Sequence, residues 1–179
     1  MAFARPKQRE PVGEAELFEY AVGSLARKMR TVRDLKRLMR PRAHPGEQGE
    51  RDMDAVVARL IDLKYLSDTR FAQDYTRLRK ENQGFGRRRV QQDLALKGIA
   101  KDLAAETLAS AYDGADEVEL ARRYCERKRI QPPKDQKETV RAMNRLIRAG
   151  YGSSAIFKLL RSWKVEVPEE TADWEPAET

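Results

Sequence analysis

The chain has 179 residues, 36% charged and 40% hydrophobic, with one cysteine, one histidine and a net charge of +7. That modest apolar supply disfavours a single thick core, and one cysteine excludes an internal disulfide framework and fits a reducing compartment. No segment approaches the roughly 18 continuous apolar residues of a membrane span, and the N-terminal stretch lacks a signal-peptide apolar run, so a cytoplasmic protein with no membrane partner is expected.

In chain order, residues 1–13 mix Pro6, Pro11, Gly13 and charges and are expected to form a flexible N-terminal arm. From Glu14 the apolar rhythm of Leu17, Tyr20, Ala21, Ser24 and Leu25 predicts a helix of about four turns. Thr31 can cap the next helix, whose apolar face is Val32, Leu35, Leu38 and Met39 and whose stop is Pro41. Pro41 to Glu50, rich in breakers and polar residues, reads as an exposed loop. A third helix is expected from about Asp52 to Lys64, with Met53, Val56, Val57, Leu60, Ile61 and Leu63 inward.

Ser67-Asp68 is an N-cap signal for a helix carrying Phe71, Ala72, Tyr75 and Leu78, which Gly84-Phe85-Gly86 breaks. Val90, Leu94 and Leu96 define the next helix, ended by Gly98, and Leu103, Thr107 and Leu108 the one from about Ala100 to Ala111. Past Asp113-Gly114, Val118, Ala121, Tyr124 and Cys125 share a face, and Pro132-Pro133 stops that helix. Val140, Met143, Leu146 and Ile147 mark another helix, broken at Gly150, and Ile156, Phe157, Leu159, Leu160 and Trp163 the last. No run alternates with the period of a strand backed by a hairpin turn.

The pattern repeats. Phe71-Ala72-x-x-Tyr75 returns as Leu120-Ala121-x-x-Tyr124, and Gly98-Ile99 with Leu108 returns as Gly150-Tyr151 with Leu160, a period of about fifty residues. The expected fold is all-α, an elongated tandem array of three three-helix repeats at 14–66, 67–112 and 113–164, followed by a disordered acidic tail, 165–179. Six acidic residues and no Lys or Arg follow Lys164, so residues 1–164 carry +13. Such a body favours a polyanion or an acidic protein surface as partner, with affinity falling as salt rises.

Catalytic chemistry is missing. Gly84 and Gly86 precede Arg87-Arg88-Arg89, where a phosphate-cradling loop would need Lys-Ser or Lys-Thr. His44 has no second His or Cys nearby, which excludes a metal site or a histidine-dependent triad, and Cys125 sits at the helical spacing of a core residue. Asp52/Asp54 and Glu117/Glu119 fall near helix starts, where capping accounts for them. No cofactor is expected.

The positive charge is arranged. Arg33, Arg37 and Arg40 follow Val32 at i, i+4 and i+7, and Arg141, Arg145 and Arg148 follow Val140 at the same spacing, each a stripe that is either a binding face or an ordinary solvated one. The middle repeat instead carries Arg77, Arg79 and Lys80 before the glycine hinge, Arg87, Arg88 and Arg89 after it, and Lys97. Arginines in a first helical turn oppose the helix dipole, by roughly 0.3–1 kcal/mol each at an exposed site, so the cluster reads as partner contact or as plain surface charge. Phe85 is the one aromatic expected to be exposed, able to stack on a base, fill a partner's pocket or anchor its own turn.

Tyr65-Leu66-Ser67-Asp68-x-x-Phe71-Ala72, then Gly84-x-Gly86-x-x-Arg89-Val90 and Leu94-x-x-Lys97-Gly98-Ile99, resemble the central signature of the RecX family of bacterial recombination regulators. The likeness runs over about residues 15–163; the Pro41–Glu50 loop, longer than the family's, and the acidic tail depart from it. The resemblance implies tandem three-helix repeats that bind RecA, lie in the helical groove of the RecA–DNA filament and inhibit ATP hydrolysis and strand exchange. It also carries partner contact onto Arg87, Arg88, Arg89 and Lys97, and structural roles onto Asp68, Phe71 and Gly98. A monomer with weak, salt-dependent affinity for single- and double-stranded DNA is expected. Two other readings stand beside it: a helix-turn-helix-like regulator that binds DNA directly, and a helical adaptor without a nucleic-acid role.

Overall fold

The computed structural model describes residues 10–165, and the arm before residue 10 and the acidic tail after residue 165 lie outside that range. Among the described residues there are nine α-helices and no strand: α1 Glu14–Arg27, α2 Val32–Met39, α3 Glu47–Asp62, α4 Asp68–Leu78, α5 Arg87–Leu96, α6 Lys101–Ala111, α7 Glu117–Arg127, α8 Gln136–Arg148 and α9 Ser153–Ser162. A single turn of π-helix, Arg79–Gln83, carries α4 into the glycine hinge. The chain divides into two compact units. Unit 1 runs to Gln73 and includes Ala95–Leu103; unit 2 takes Asp74–Leu94 and the chain from Ala104 on.

In unit 1, α1, α2 and α3 pack on one another. Their core is Leu17, Ala21, Leu35, Met39, Met53, Val56, Val57 and Leu60, closed at one end by Leu66. Thr31 starts α2 as its spacing predicts, the hydroxyl oxygen accepting from the Asp34 amide at 3.1 Å. The same hydroxyl donates to the Lys97 carbonyl at 2.8 Å, which ties the end of α5 to the start of α2. Asp68 serves α2 as well: its carboxylate accepts from the Val32 amide at 2.9 Å, while Ser67 caps α4 through the Arg70 amide. Burial, more than the nearby Asp34 charge, raises the Asp68 pKa, and the Val32 hydrogen bond opposes that rise.

Helix α3 begins at Glu47, so the expected loop is shorter than Pro41–Glu50. Gly46, at φ 78°, makes the entry, and Gly49 lies so close to the chain before it that a Cβ would fall 1.8 Å from the His44 carbonyl oxygen. Val12 donates to the Arg42 carbonyl at 2.8 Å, which fastens the chain ahead of α1 to that loop. Ile61 and Leu63, expected inward, are exposed. The buried face of α3 is set by Met53, Val56, Val57 and Leu60 at i, i+3, i+4 and i+7, and Ile61 and Leu63 lie on its two flanks at the helix end, where they stay exposed.

In unit 2, α9 packs on α7 and α8 around Ala121, Tyr124, Cys125, Met143, Leu146, Tyr151, Ile156, Leu159 and Leu160. Val140, expected on the apolar face of α8, is exposed, and Thr139 takes its place beside Ala142, Met143 and Leu146. The Thr139 hydroxyl donates to the Asp135 carbonyl at 2.9 Å, so its burial leaves no polar group unmet. Leu96, expected inward on α5, is 74% exposed, because two residues from buried Leu94 is about 200° around the helix. Helix α7 ends at Arg127, ahead of Pro132-Pro133.

Candidate functional site

The Gly84-Phe85-Gly86 hinge is held by two tyrosines of unit 2, half-buried Tyr112 and buried Tyr151. The Tyr112 hydroxyl donates to the Phe85 carbonyl at 2.7 Å, and the Tyr151 hydroxyl shares its proton between the Gly84 and Leu120 carbonyls. Burial raises both phenol pKa values well above their ordinary range. Gly84 is left-handed, at φ 68°. Phe85 is half-buried against the unit 2 core, so of the roles open to it the structure gives it the anchoring one. Among the described residues the exposed aromatic is Tyr65, 61% accessible, which composition and periodicity did not single out.

From this hinge α5 starts against the end of α8. The Gly86 amide donates to the Ala149 carbonyl at 2.8 Å and the Arg88 amide to the Gly150 carbonyl at 3.3 Å. The backbones are in direct contact there: a Cβ on Gly86 would lie 2.4 Å from the Gly150 oxygen. These carbonyls are the negative end of α8, and they offset the dipole cost of arginines in the first turn of α5. A partner is therefore not needed to explain why Arg87-Arg88-Arg89 is tolerated.

The three arginines then separate. Arg89 turns back to Asp93, 3.2 Å from Nε to a carboxylate oxygen, and Arg79 reaches the other oxygen at 3.3 Å. Asp93 is only 7% exposed and also accepts from the Tyr75 hydroxyl. Both guanidiniums lie beside the Phe85 ring. This buried carboxylate between two arginines, Asp93, was missed in the sequence, where it reads as one more polar residue between Gln92 and Leu94. Lys80 donates to the Ala111 carbonyl at 2.6 Å, and Arg77 pairs with Asp74 and Glu81 on the surface. Arg87 and Arg88 are exposed and make no ion pair among the described residues. On α8, Arg141, Arg145 and Arg148 are exposed in the same way.

Unit 1 holds the other stripe. Arg33, Lys36, Arg37 and Arg40 line an open trough of about 430 Å³ with Val32, Asp68 and Gly98. Arg37 pairs with Asp34 at 3.2 Å, Arg40 with Glu50 at 2.8 Å, and Lys36 with Asp54. The Arg33 stem covers Gly98, where a Cβ would meet its Cδ at 2.3 Å, and Lys97 pairs with Asp34 at 3.0 Å. Lys36 completes this row and lies between two arginines already picked out by spacing. No cluster of His, Cys, Asp and Glu among the described residues could hold a metal ion, and no described helix is long and apolar enough to cross a membrane.

Short helices packed into compact all-α units, several of them ended by glycine and carrying cationic rows on their surfaces, define an all-helical class of protein. A family model described as RecX, second three-helix domain, matches residues 67–108. The regulatory protein RecX of Myxococcus xanthus is 30% identical over 171 residues, covering 88% of this chain and 90% of its own. That of Deinococcus radiodurans is 30% identical over 174 residues, covering 94% and 78%. The crystal structure of RecX from Lactobacillus salivarius superposes with a TM-score of 0.65 at 18% identity, over 84% of this chain and 96% of that one, and supports the fold. The chain belongs to the RecX family of regulatory proteins.

Proposed function

We propose that this protein binds the RecA–DNA filament, in its helical groove, and lowers RecA's ATPase and strand-exchange activity, thereby modulating homologous recombination, DNA repair and the SOS response. Family membership supports RecA as the partner. The observation that carries the surface is a group of exposed arginines on two helices of unit 2, Arg87 and Arg88 on α5 and Arg141, Arg145 and Arg148 on α8, none of which forms an ion pair among the described residues. An arginine with no carboxylate of its own presents its whole fork to a phosphate or to an acidic side chain. Arg79, Lys80, Arg89 and Lys97 are engaged inside their units and act by holding the framework. The unit 1 row, Arg33, Lys36, Arg37 and Arg40, contributes field and weak, salt-dependent DNA contact.

The test is single-strand-dependent ATP hydrolysis by RecA with this protein added below stoichiometry. The rate falls, and the double variant Arg87→Ala, Arg88→Ala keeps its helicity while inhibiting less. An unchanged rate at equimolar protein overturns the reading, and full inhibition by the double variant removes those two arginines from the surface. Tight, sequence-selective binding to duplex DNA without RecA would instead establish the direct DNA-binding regulator.

A further inference from the structure

In unit 2 a pocket opens beside α8 and the first half of α9, walled by Met143, Ile147, Tyr151, Ile156 and Phe157 and lined on another side by Arg88. Its volume is about 120 Å³, near the ~150 Å³ of an apolar cavity that takes up one benzene ring. Gln92 and Ser153 also line it, but its surface is mostly apolar and suits a phosphate poorly. Such walls suit one ring-bearing side chain, and a guanidinium beside them asks for a carboxylate next to that ring.

The chain itself carries this combination beyond the described residues. Ala172-Asp173-Trp174-Glu175 places the one aromatic residue after Val165 between two carboxylates, in a stretch with six acidic residues and no Lys or Arg. It is also within reach. Trp174 is nine residues past Val165, up to about 30 Å of extended chain, while α9 from Ser162 back to Ile156 is about 9 Å long. With so short a tether the local concentration is on the order of millimolar, so even a weak contact closes.

We propose that the acidic tail docks on unit 2, with the Trp174 indole seated in this pocket and Asp173 or Glu175 paired with Arg88. The inference stands independently of the RecA reading. Its consequence is that the tail covers one of the unpaired arginines, and a polyanion or an acidic partner must displace it.

Methyl-labelled full-length protein tests this directly. Trp174→Ala changes no charge and lies outside the described helices, so the fold is not at stake. The Ile147, Ile156 and Met143 methyl resonances are expected to shift in that variant, as the ring current of the indole is lost, while those of Leu35 and Met39 in unit 1 stay in place. Arg88→Gln is expected to move the same three resonances part of the way. Unmoved pocket resonances in Trp174→Ala overturn the proposal, as does a response confined to unit 1. A pocket indifferent to Trp174 but shifted by an added acidic peptide of different sequence would assign it to a foreign partner, and would equally refute docking by the tail.

Discussion

Replacing Asp93 by alanine removes the carboxylate between Arg79 and Arg89 and makes the framework role of those arginines measurable. The two ion pairs are 3.3 and 3.2 Å long, and at an effective dielectric constant near 20 each gains about 4 kcal/mol of Coulomb energy at roughly 4 Å between charge centres. Desolvation of a carboxylate this deeply buried cancels much of that, and losing one partner of a buried pair costs ~3–5 kcal/mol. Here the arginine side chains are 26% and 42% exposed and rehydrate in part, which lowers the expected loss to about 2–3 kcal/mol. That is a large share of the ~5–15 kcal/mol that holds a domain folded. Urea unfolding followed by circular dichroism reads it, and a double-mutant cycle with Arg89→Ala should return a coupling of about 1–2 kcal/mol. Arg88→Ala, one position earlier, should leave stability within about 0.5 kcal/mol of the parent. A negligible loss in Asp93→Ala, or no coupling in the cycle, would refute the clamp and return Arg89 to the pool of surface cations.

Gly150→Ala places a Cβ 2.3 Å from the Arg89 amide nitrogen at φ 91°, so strain and clash together should cost about 3 kcal/mol. Gly114→Ala, at φ 60° in open space, carries the strain alone, and equal losses in the two by urea unfolding would deny the backbone contact. Asp68→Ala orphans the Val32 amide and should cost ~1 kcal/mol, whereas Asp68→Asn keeps an acceptor. Because the folded Asp68 pKa is raised, its contribution is full below its unfolded value and is lost as pH rises through the folded one. The stability of Asp68→Asn relative to the parent should therefore improve from pH 3 to pH 7, and a flat difference would contradict that. Burial pushes the Cys125 thiol up to about 11, so thiol reagents at pH 8 should label it slowly in the native protein and quickly once unfolded. Equal labelling rates would place the thiol outside the core.

What was legible in the sequence is what local chemistry decides. Thr31 caps α2 because a hydroxyl there reaches an amide three residues on, and Gly98 and Gly150 end their helices because they take up positive φ. Leu96, Val140, Ile61 and Leu63 mislead because apolar character permits burial without requiring it, and near a helix end one position of register decides the face. Gly49 misleads in the opposite way: its reason is a carbonyl five residues back, invisible to helix propensity. At the candidate site the basic residues were legible as a set, but their sorting was not. Whether an arginine is available depends on Asp93, whose burial follows from Arg79 and Tyr75 approaching from a different helix.

Both ends of α5 are finished by residues distant in the chain. Its first amides use the carbonyls of Ala149 and Gly150, and the Lys97 carbonyl just past its last residue is met by Thr31. A sequence period counts copies, while hydrogen bonds of this kind count what must fold together, and here the two tallies differ. Residues 67–112, cut out as a cassette, would carry bare helix ends on both sides of α5. Such a copy can be duplicated by a gene but not exchanged like a bead, because α5 is completed at its start by the Ala149 and Gly150 carbonyls and past its end by the Thr31 hydroxyl.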